Sequence, residues 1–150
     1  MKALNQEQAK RITDRVIGLS KADECSVVIE GSRAGNVRFA RNSVSTAGLT
    51  ENMQLMVRVA FGKRTGTAVI NEFDDKSLER AVRRAEELAR LAPENPEFVP
   101  AFGKQEYRAT STFVKSTADI DPEFRAQVAA TSIELARKNK LVTAGFFTDS

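Results

Sequence analysis

Histidine is absent from this 150-residue chain, and its absence restricts the possible chemistry more than any other feature of the composition. Without histidine the chain lacks the usual general base, the Ser-His and Cys-His nucleophile pairs, and the commonest zinc ligand. Carboxylates, lysines and a single tyrosine remain, but no pair of them is marked by its context. The residues therefore indicate no catalytic group and no metal ligand.

Cysteine is almost as scarce. Cys25 is the only one, so no intramolecular disulfide can form, and a reducing, cytoplasmic setting is expected. The residue lies in ECSVVIEG, a predicted strand. A small buried apolar side chain is the favoured interpretation there, ahead of a reactive or metal-binding thiol.

Long apolar runs are also missing. No window approaches the ~20 apolar residues needed to cross a bilayer, and the start MKALNQEQAKRITDRV has no apolar segment of a secretory signal. The 41% hydrophobic and 29% charged residues indicate a globular protein. The 23 basic and 20 acidic residues are interleaved, which argues against a dedicated nucleic-acid surface.

The first half of the chain shows one helix pattern followed by strand patterns. Asn5 is the predicted N-cap of the helix, with Gln8 completing a capping box. Its apolar face comprises Ala9, Ile12, Val16 and Leu19. CSVVIEGS is a predicted strand, with a turn expected around Gly35. VRFARNSV and STAGLTE are further strand candidates, with a break near Asn42.

A hairpin with a glycine-bounded basic loop is the clearest sheet feature. QLMVRVAF alternates as a strand, GKRTG turns the chain, and TAVINEF returns. Gly62 and Gly66 are expected to supply positive φ angles in the loop. A phosphate-binding loop is rejected, because a P-loop needs G-x-x-x-x-G-K-[ST] between a strand and a helix.

The strongest helix pattern follows this hairpin. Its predicted N-cap is Asp74 or Asp75, and Pro93 ends it. A continuous apolar stripe is formed by Leu78, Ala81, Val82, Ala85, Leu88, Ala89 and Ala92. Ion pairs four residues apart are expected on the other side: Glu79 with Arg83, Arg83 with Glu87, and Glu86 with Arg90.

The last third of the chain begins without a sustained period and ends with a helix and a strand. Asp121 is the predicted N-cap of that helix, with Pro122 at its first position. The predicted apolar side comprises Phe124, Val128, Ile133, Leu135 and Ala136. LVTAGFFT is the final predicted strand.

These patterns predict an α+β fold. It consists of an N-terminal helix, a mostly antiparallel sheet with the glycine-bounded hairpin, an amphipathic helix packed on the sheet, and a further helix and strand that begin a second unit. The expected domains are an α/β N-terminal domain at 1–95, a linker at 96–120 and the second unit at 121–150. The apolar last strand needs neighbours, so either it joins the edge of the first sheet or the chain is a fragment of a longer protein. The second explanation is favoured.

Two long motifs together carry a family resemblance. VRFARNSV followed by VRVAFGKRTGTAVINEFDDKSLERAVRRAEELARLAPENPEFVP resembles the N-terminal domain of the TldD/PmbA family, which was named for modulation of DNA gyrase and is understood as a metalloprotease family. DPEFRAQVAATSIELARKNKLVTAGFFT is similar to the segment that follows in those proteins. The resemblance implies a considerably longer complete protein.

The resemblance also implies where the catalytic chemistry would lie. A TldD-type subunit carries zinc in its later part, held by two helical histidines and a distant cysteine, with a glutamate as general base. A PmbA-type subunit lacks the zinc motif and pairs with the TldD type as a heterodimer, while some relatives form homodimers. Cys25 does not match the cysteine ligand. This chain would be a non-catalytic scaffold that admits extended or unfolded peptides to a zinc site elsewhere.

Five residues match the family pattern and are the candidate site residues: Arg38, Asn42, Arg58, Gly62 and Gly66. By resemblance, the glycines are expected to set backbone geometry. The three polar residues are expected to orient strands or to line a peptide channel.

Two other functions compete with this one. A nucleic-acid or gyrase-associated binding module would need basic residues on one face with aromatic platforms, namely Arg38, Arg41, Arg58, Lys63 and Arg64. The nearby Phe39 and Phe61 are expected to face inward instead. An independent enzyme would rely on Glu30, Glu51 or Glu72, but these alternate with apolar residues as solvent-facing strand positions do.

Overall fold

The computed structural model describes residues 4–150 and confirms the predicted α+β fold. The helices are α1 (Gln6–Leu19), α2 (Asp75–Leu91), α3 (Lys115–Ala118) and α4 (Pro122–Lys138). The strands are β1 (Glu24–Ala40), β2 (Ser43–Phe61), β3 (Arg64–Ile70) and β4 (Gly145–Asp149). They form a sheet in the order β3-β2-β1-β4, in which β2 with β3 and β1 with β4 pair antiparallel. Within residues 4–150, no helix has both the length and the apolar character needed to cross a membrane.

The chain divides into two units, each made from two separated stretches of sequence. The first unit comprises residues 4–31 and 53–107, and the second comprises residues 32–52 and 108–150. Both β1 and β2 contribute one part to each unit. The domain boundaries expected at residues 95 and 120 stay a prediction.

The first unit packs α1 and α2 against the sheet. Its buried core contains Val16, Leu55, Val57, Val59, Leu78, Ala81, Val82, Ala85 and Ala89. Alternate residues of β2 point into this core, as the sequence predicts. The capping box of α1 is confirmed: the Asn5 side chain accepts the N–H of Gln8 at 2.8 Å, and Gln8 Oε1 accepts the N–H of Asn5 at 3.0 Å.

The start of α2 is as predicted, but its ion pairs are not. Asp74 is the N-cap of this helix. Arg83 pairs with Glu86 at 2.9 Å and Arg84 with Glu87 at 2.8 Å, both with a spacing of three residues instead of the predicted four. Glu86 lies on the buried side of α2, so Arg83 is drawn inward to reach it.

The second unit packs α4 against β1 and β4. Its core contains Val37, Phe39, Ala129 and Ile133, with Phe147 packed against them. The N-cap at Asp121 is confirmed, since its carboxylate accepts the N–H of Phe124 at 2.8 Å. The predicted apolar side of α4 is partly wrong, because Phe124 and Leu135 are 51% and 63% exposed while Arg125 is only 4% exposed. Arg125 is buried because it forms an ion pair with Asp149 of β4.

The strands β1 and β2 are longer than the sequence indicates. The turn expected at Gly35 is wrong, since this residue lies within β1 and is buried. A Cβ atom at Gly35 would stand 2.0 Å from a guanidinium nitrogen of Arg125, so the glycine makes room for a side chain. The break near Asn42 is confirmed, but β2 then continues without interruption to Phe61.

The last strand starts later than predicted. Residues 141–144 have no strand structure, and β4 begins at Gly145. It pairs with β1 from Gly35↔Asp149 to Phe39↔Gly145. β4 therefore joins the sheet beside β1, as one of the two explanations for its apolar sequence expects. The other explanation, that the chain is a fragment of a longer protein, stays a prediction.

Candidate functional site

The turn between β1 and β2 consists of two residues with left-handed backbone. Arg41 has φ 52° and Asn42 has φ 59°, a combination that suits a two-residue hairpin loop and favours asparagine. The Asn42 side chain donates to the carbonyl of Leu141 at 2.8 Å and accepts the N–H of Thr143 at 2.7 Å. Arg137 of α4 donates to the carbonyl of Asn42 at 2.8 Å. These contacts give Asn42 a structural task, which is to hold the segment between α4 and β4.

Gly62 has the predicted positive φ, 54°, in the two-residue loop between β2 and β3. Its N–H donates to the carboxylate of Asp23 at 2.8 Å. The N–H of Asp23 donates in turn to the carbonyl of Ala60 at 3.0 Å. The loop joins two strands, so the rejection of a P-loop is confirmed.

Gly66 does not have the predicted positive φ. It lies inside β3 and is buried under α2. A Cβ atom there would stand 2.1 Å from the carbonyl oxygen of Ala85 and 2.4 Å from the backbone nitrogen of Ala89. The glycine is needed because the backbones of β3 and α2 touch at this point.

The guanidinium groups of Arg38 and Arg58, unlike the side chain of Asn42, hold no other part of the structure in place. Both side chains are exposed, and neither makes a hydrogen bond or ion pair with any residue from 4 to 150. Arg58 lines a groove of about 210 Å³ in the first unit, together with Phe98 and Val99. Arg38 lines a groove of about 530 Å³ in the second unit, together with Phe146. Of the five candidate residues, these two are available to contact a ligand.

Glu86, which the sequence predicts on the outer side of α2, is a buried carboxylate. It is 1% exposed. Its Oε1 accepts the N–H of Lys21 at 2.6 Å, and its Oε2 accepts a bond from Arg83, which also donates to the carbonyl of Leu19 at 3.0 Å. Burial acts to raise the pKa of Glu86, but the bonds from Lys21 and Arg83 outweigh it and hold that pKa below its ordinary value. Both carboxylate oxygens of Glu86 are therefore hydrogen-bonded, and the bond to Lys21 fixes the C-terminal end of α1 against α2. Its spacing of four residues from Val82 could have indicated burial.

A second buried charge pair lies in the second unit. Arg125 of α4 donates to the carboxylate of Asp149 on β4 at 2.7 Å, and their side chains are 5% and 9% exposed. Arg125 also donates to the carbonyl of Ile120 at 3.4 Å. A buried arginine whose charge is matched in this way ties a helix to a strand. No local pattern marks it, since the two residues are distant in sequence.

Comparison with known protein families finds a match that runs from β1 into α2. Residues 25–89 match the family described as PmbA/TldA metallopeptidase domain 1. This match confirms the resemblance of the sequence to the TldD/PmbA family. No curated protein matches the chain.

Solved structures extend the likeness beyond residues 25–89. TldE from Thermococcus kodakarensis is 18% identical, with a TM-score of 0.78 over 93% of this chain and 32% of its own. A candidate modulator of a DNA gyrase from Thermotoga maritima is 17% identical, with a TM-score of 0.69 over 95% and 36%. Another, from Bacteroides thetaiotaomicron, is 13% identical, with a TM-score of 0.72 over 97% and 40%. At these identities the likeness establishes a shared fold, and the chain spans about a third of these proteins.

The carboxylates considered for an independent enzyme are exposed, and each has a polar partner. Their polar partners are Gln54 for Glu30 at 2.9 Å, Arg33 for Glu51 at 3.3 Å and Arg80 for Glu72 at 3.1 Å. Cys25 is half-buried against the core of the first unit, and burial raises the pKa of its thiol. The thiol therefore stays neutral, in agreement with the interpretation as a small core side chain.

The zinc site implied by the family resemblance does not fit the residues of this chain. That site needs two histidines, and the sequence has none. Across the described range 4–150, no three His, Cys, Asp or Glu side chains converge to hold a metal ion. No catalytic step can therefore be assigned to a metal bound by this chain.

Proposed function

We propose that this chain is a non-catalytic scaffold domain of a TldD/PmbA-type metallopeptidase that acts on extended or unfolded peptides. The observation that carries the proposal is the match of residues 25–89 to the family's first domain, in a chain without histidine. The zinc is supplied from outside these 150 residues. In a TldD-type protein it is bound by another part of the same polypeptide, and in a PmbA-type protein by a partner subunit in a homo- or heterodimer. The protein acts in the cytoplasm.

The contacts of the buried polar residues support the scaffold role. Glu86 and Arg83 fasten α1 to α2, while Arg125 and Asp149 fasten α4 to β4. Asn42 fixes the segment that precedes β4. Each of these groups is occupied by a bond within its own unit, which suits a rigid framework better than a reaction centre.

The exposed arginines support the further proposal that the domain forms part of the wall of a peptide channel. Arg38 and Arg58 each line a groove with apolar neighbours. A guanidinium group can donate several hydrogen bonds to carbonyl or carboxylate oxygens of a passing peptide.

The test is the mass, zinc content and peptidase activity of the intact gene product purified from its native source. A product much longer than 150 residues, with stoichiometric zinc and chelator-sensitive hydrolysis of an unfolded peptide, supports the TldD type. A long zinc-free product that supports hydrolysis only together with a zinc-bearing partner supports the PmbA type. A product of this length that folds alone, and with which no peptidase copurifies, contradicts the proposal.

A gyrase-associated or nucleic-acid-binding function is the alternative, because two of the similar structures are described as candidate modulators of DNA gyrase. Phosphate contacts by arginine and lysine would give a DNA affinity that falls steeply with salt. We expect weak binding at low salt at most. Tight binding with a steep salt dependence, measured by filter binding on the same preparation, would favour the alternative.

A further inference from the structure

Arg38 and Phe146 stand directly opposite each other on the paired strands β1 and β4. Opposite residues of an antiparallel pair project to the same face. The other face of these strands carries Val37, Phe39 and Phe147, which form the core with α4. Arg38 and Phe146 therefore lie on the face that α4 leaves uncovered, where Phe146 is 63% exposed.

A groove that Arg38 and Phe146 both line has an unbalanced positive charge. Its volume is about 530 Å³, and its lining comprises Arg38, Phe39, Ala40, Ala144, Gly145 and Phe146. No carboxylate is among these residues, and the Arg38 guanidinium has no acceptor within residues 4–150. An arginine beside apolar walls is complementary to a carboxylate on an aliphatic stem, since the charge and the stem each find a partner.

We propose that Arg38 and Phe146 form a subsite for an aspartate or glutamate side chain of an extended peptide. The proposal rests on the proposed function, in which this domain lines the path of a peptide. Arg38 binds the carboxylate, and the ring of Phe146 covers the stem of the acidic residue. The peptidase would then prefer substrates with an acidic residue at one position.

The test compares binding of three fluorescein-labelled peptides to the intact gene product by fluorescence anisotropy. The first is a short serine- and threonine-rich peptide with one central glutamate and an amidated C terminus. The second has glutamine in place of that glutamate, and the third is the glutamine peptide with a free C-terminal carboxylate. We expect the glutamate peptide to bind about fivefold more tightly than its amidated glutamine counterpart.

Variants locate that preference. Arg38→Gln should abolish it, and Arg38→Lys should keep part of it. Arg84→Gln is the matched control, because it removes the same charge from an exposed ion pair on α2, 2.8 Å from Glu87; the preference should survive there. An equal preference in Arg38→Gln and in the unmodified protein would overturn the proposal.

The remaining outcomes separate this inference from the proposed function. Equal binding of all three peptides overturns the acidic subsite but leaves a peptide-binding scaffold. Preference for the free C terminus alone overturns the side-chain assignment in favour of a terminal carboxylate. Failure to bind any of the three contradicts the subsite and the peptide channel together.

Discussion

The carboxylate of Glu86 on α2 accepts the backbone N–H of Lys21 at 2.6 Å, just beyond the end of α1. Because the pKa of Glu86 is lower in the folded protein than in the unfolded chain, its ionised form stabilises the fold. That contribution is complete above the unfolded pKa of about 4.3 and is lost as the pH falls through the folded value.

Replacement of Glu86 by glutamine should therefore lower the free energy of unfolding at pH 7 by about 1–3 kcal/mol. The loss should shrink as the pH falls below about 4, because the carboxylate of the unmodified protein is then protonated and therefore neutral, like the glutamine amide. Urea unfolding at several pH values measures both effects. Glu87→Gln, at an exposed ion pair with Arg84, should stay within about 0.5 kcal/mol at pH 7. Equal losses at the two positions would contradict the prediction.

Gly66→Ala should destabilise the first unit by about 3 kcal/mol, because the added Cβ would meet the backbone of α2 at Ala85 and Ala89. Gly62→Ala meets no atom within 4 Å and is strained only by its φ of 54°, so about 1 kcal/mol is expected. Gly103→Ala, in open space without positive φ, should be near neutral. Thermal unfolding of the three variants should give this order, and a Gly66→Ala variant as stable as Gly103→Ala would refute the close approach.

Asn42→Asp should loosen the segment before β4. Aspartate keeps the acceptor for the Thr143 N–H but replaces the donor to Leu141 with an oxygen that faces its carbonyl. We expect a loss of about 1–3 kcal/mol and faster amide exchange at Thr143, measured by hydrogen–deuterium exchange. Asn139→Asp is a control, since Asn139 bonds only within the end of its own helix, to Leu135. Unchanged exchange at Thr143 would show that the Asn42 side chain does not hold this segment.

Asp149→Asn should cost about 3 kcal/mol, because it leaves the buried guanidinium of Arg125 without a counter-charge. The exposed pair of Lys115 with Asp119, 79% and 58% exposed, provides the control, and Asp119→Asn should cost less than about 0.5 kcal/mol. The double variant Arg125→Met/Asp149→Leu should recover most of the loss, since a buried pair can be replaced by apolar side chains of similar volume. Denaturant midpoints measure all three variants, and a double variant as unstable as Asp149→Asn would show that packing dominates at this position.

Features set by neighbouring residues could be predicted from the sequence. The cap at Asn5, the helix starts at Asp74 and Asp121, and the alternation of β2 all depend on residues within a few positions. Gly35 and Gly66 could not be interpreted in this way, because each makes room for a residue distant in sequence. From the sequence alone, each is therefore interpreted as a glycine of a turn.

The candidate site was predictable only as a set of positions. The resemblance names Arg38, Asn42, Arg58, Gly62 and Gly66 alike, but the structure distinguishes them by their partners. Asn42 and the two glycines are explained by contacts with α2, Asp23 or the segment before β4. The two arginines have no such contacts. A sequence cannot show which polar side chain is left without a partner.

The interleaving of the two units determines the order in which they can form during synthesis. Residues 32–52 of the second unit leave the ribosome before α2, which supplies much of the first unit's core. The core of the second unit can form only later, when α4 has been synthesised. No single proteolytic cut can release both units whole, since each contains chain from both sides of the other. A fragment ending at Tyr107 would retain all of the first unit and leave residues 32–52 without their covering helix. Dissection of the protein therefore calls for a linker that joins the two stretches of a unit directly, because simple truncation cannot isolate both units.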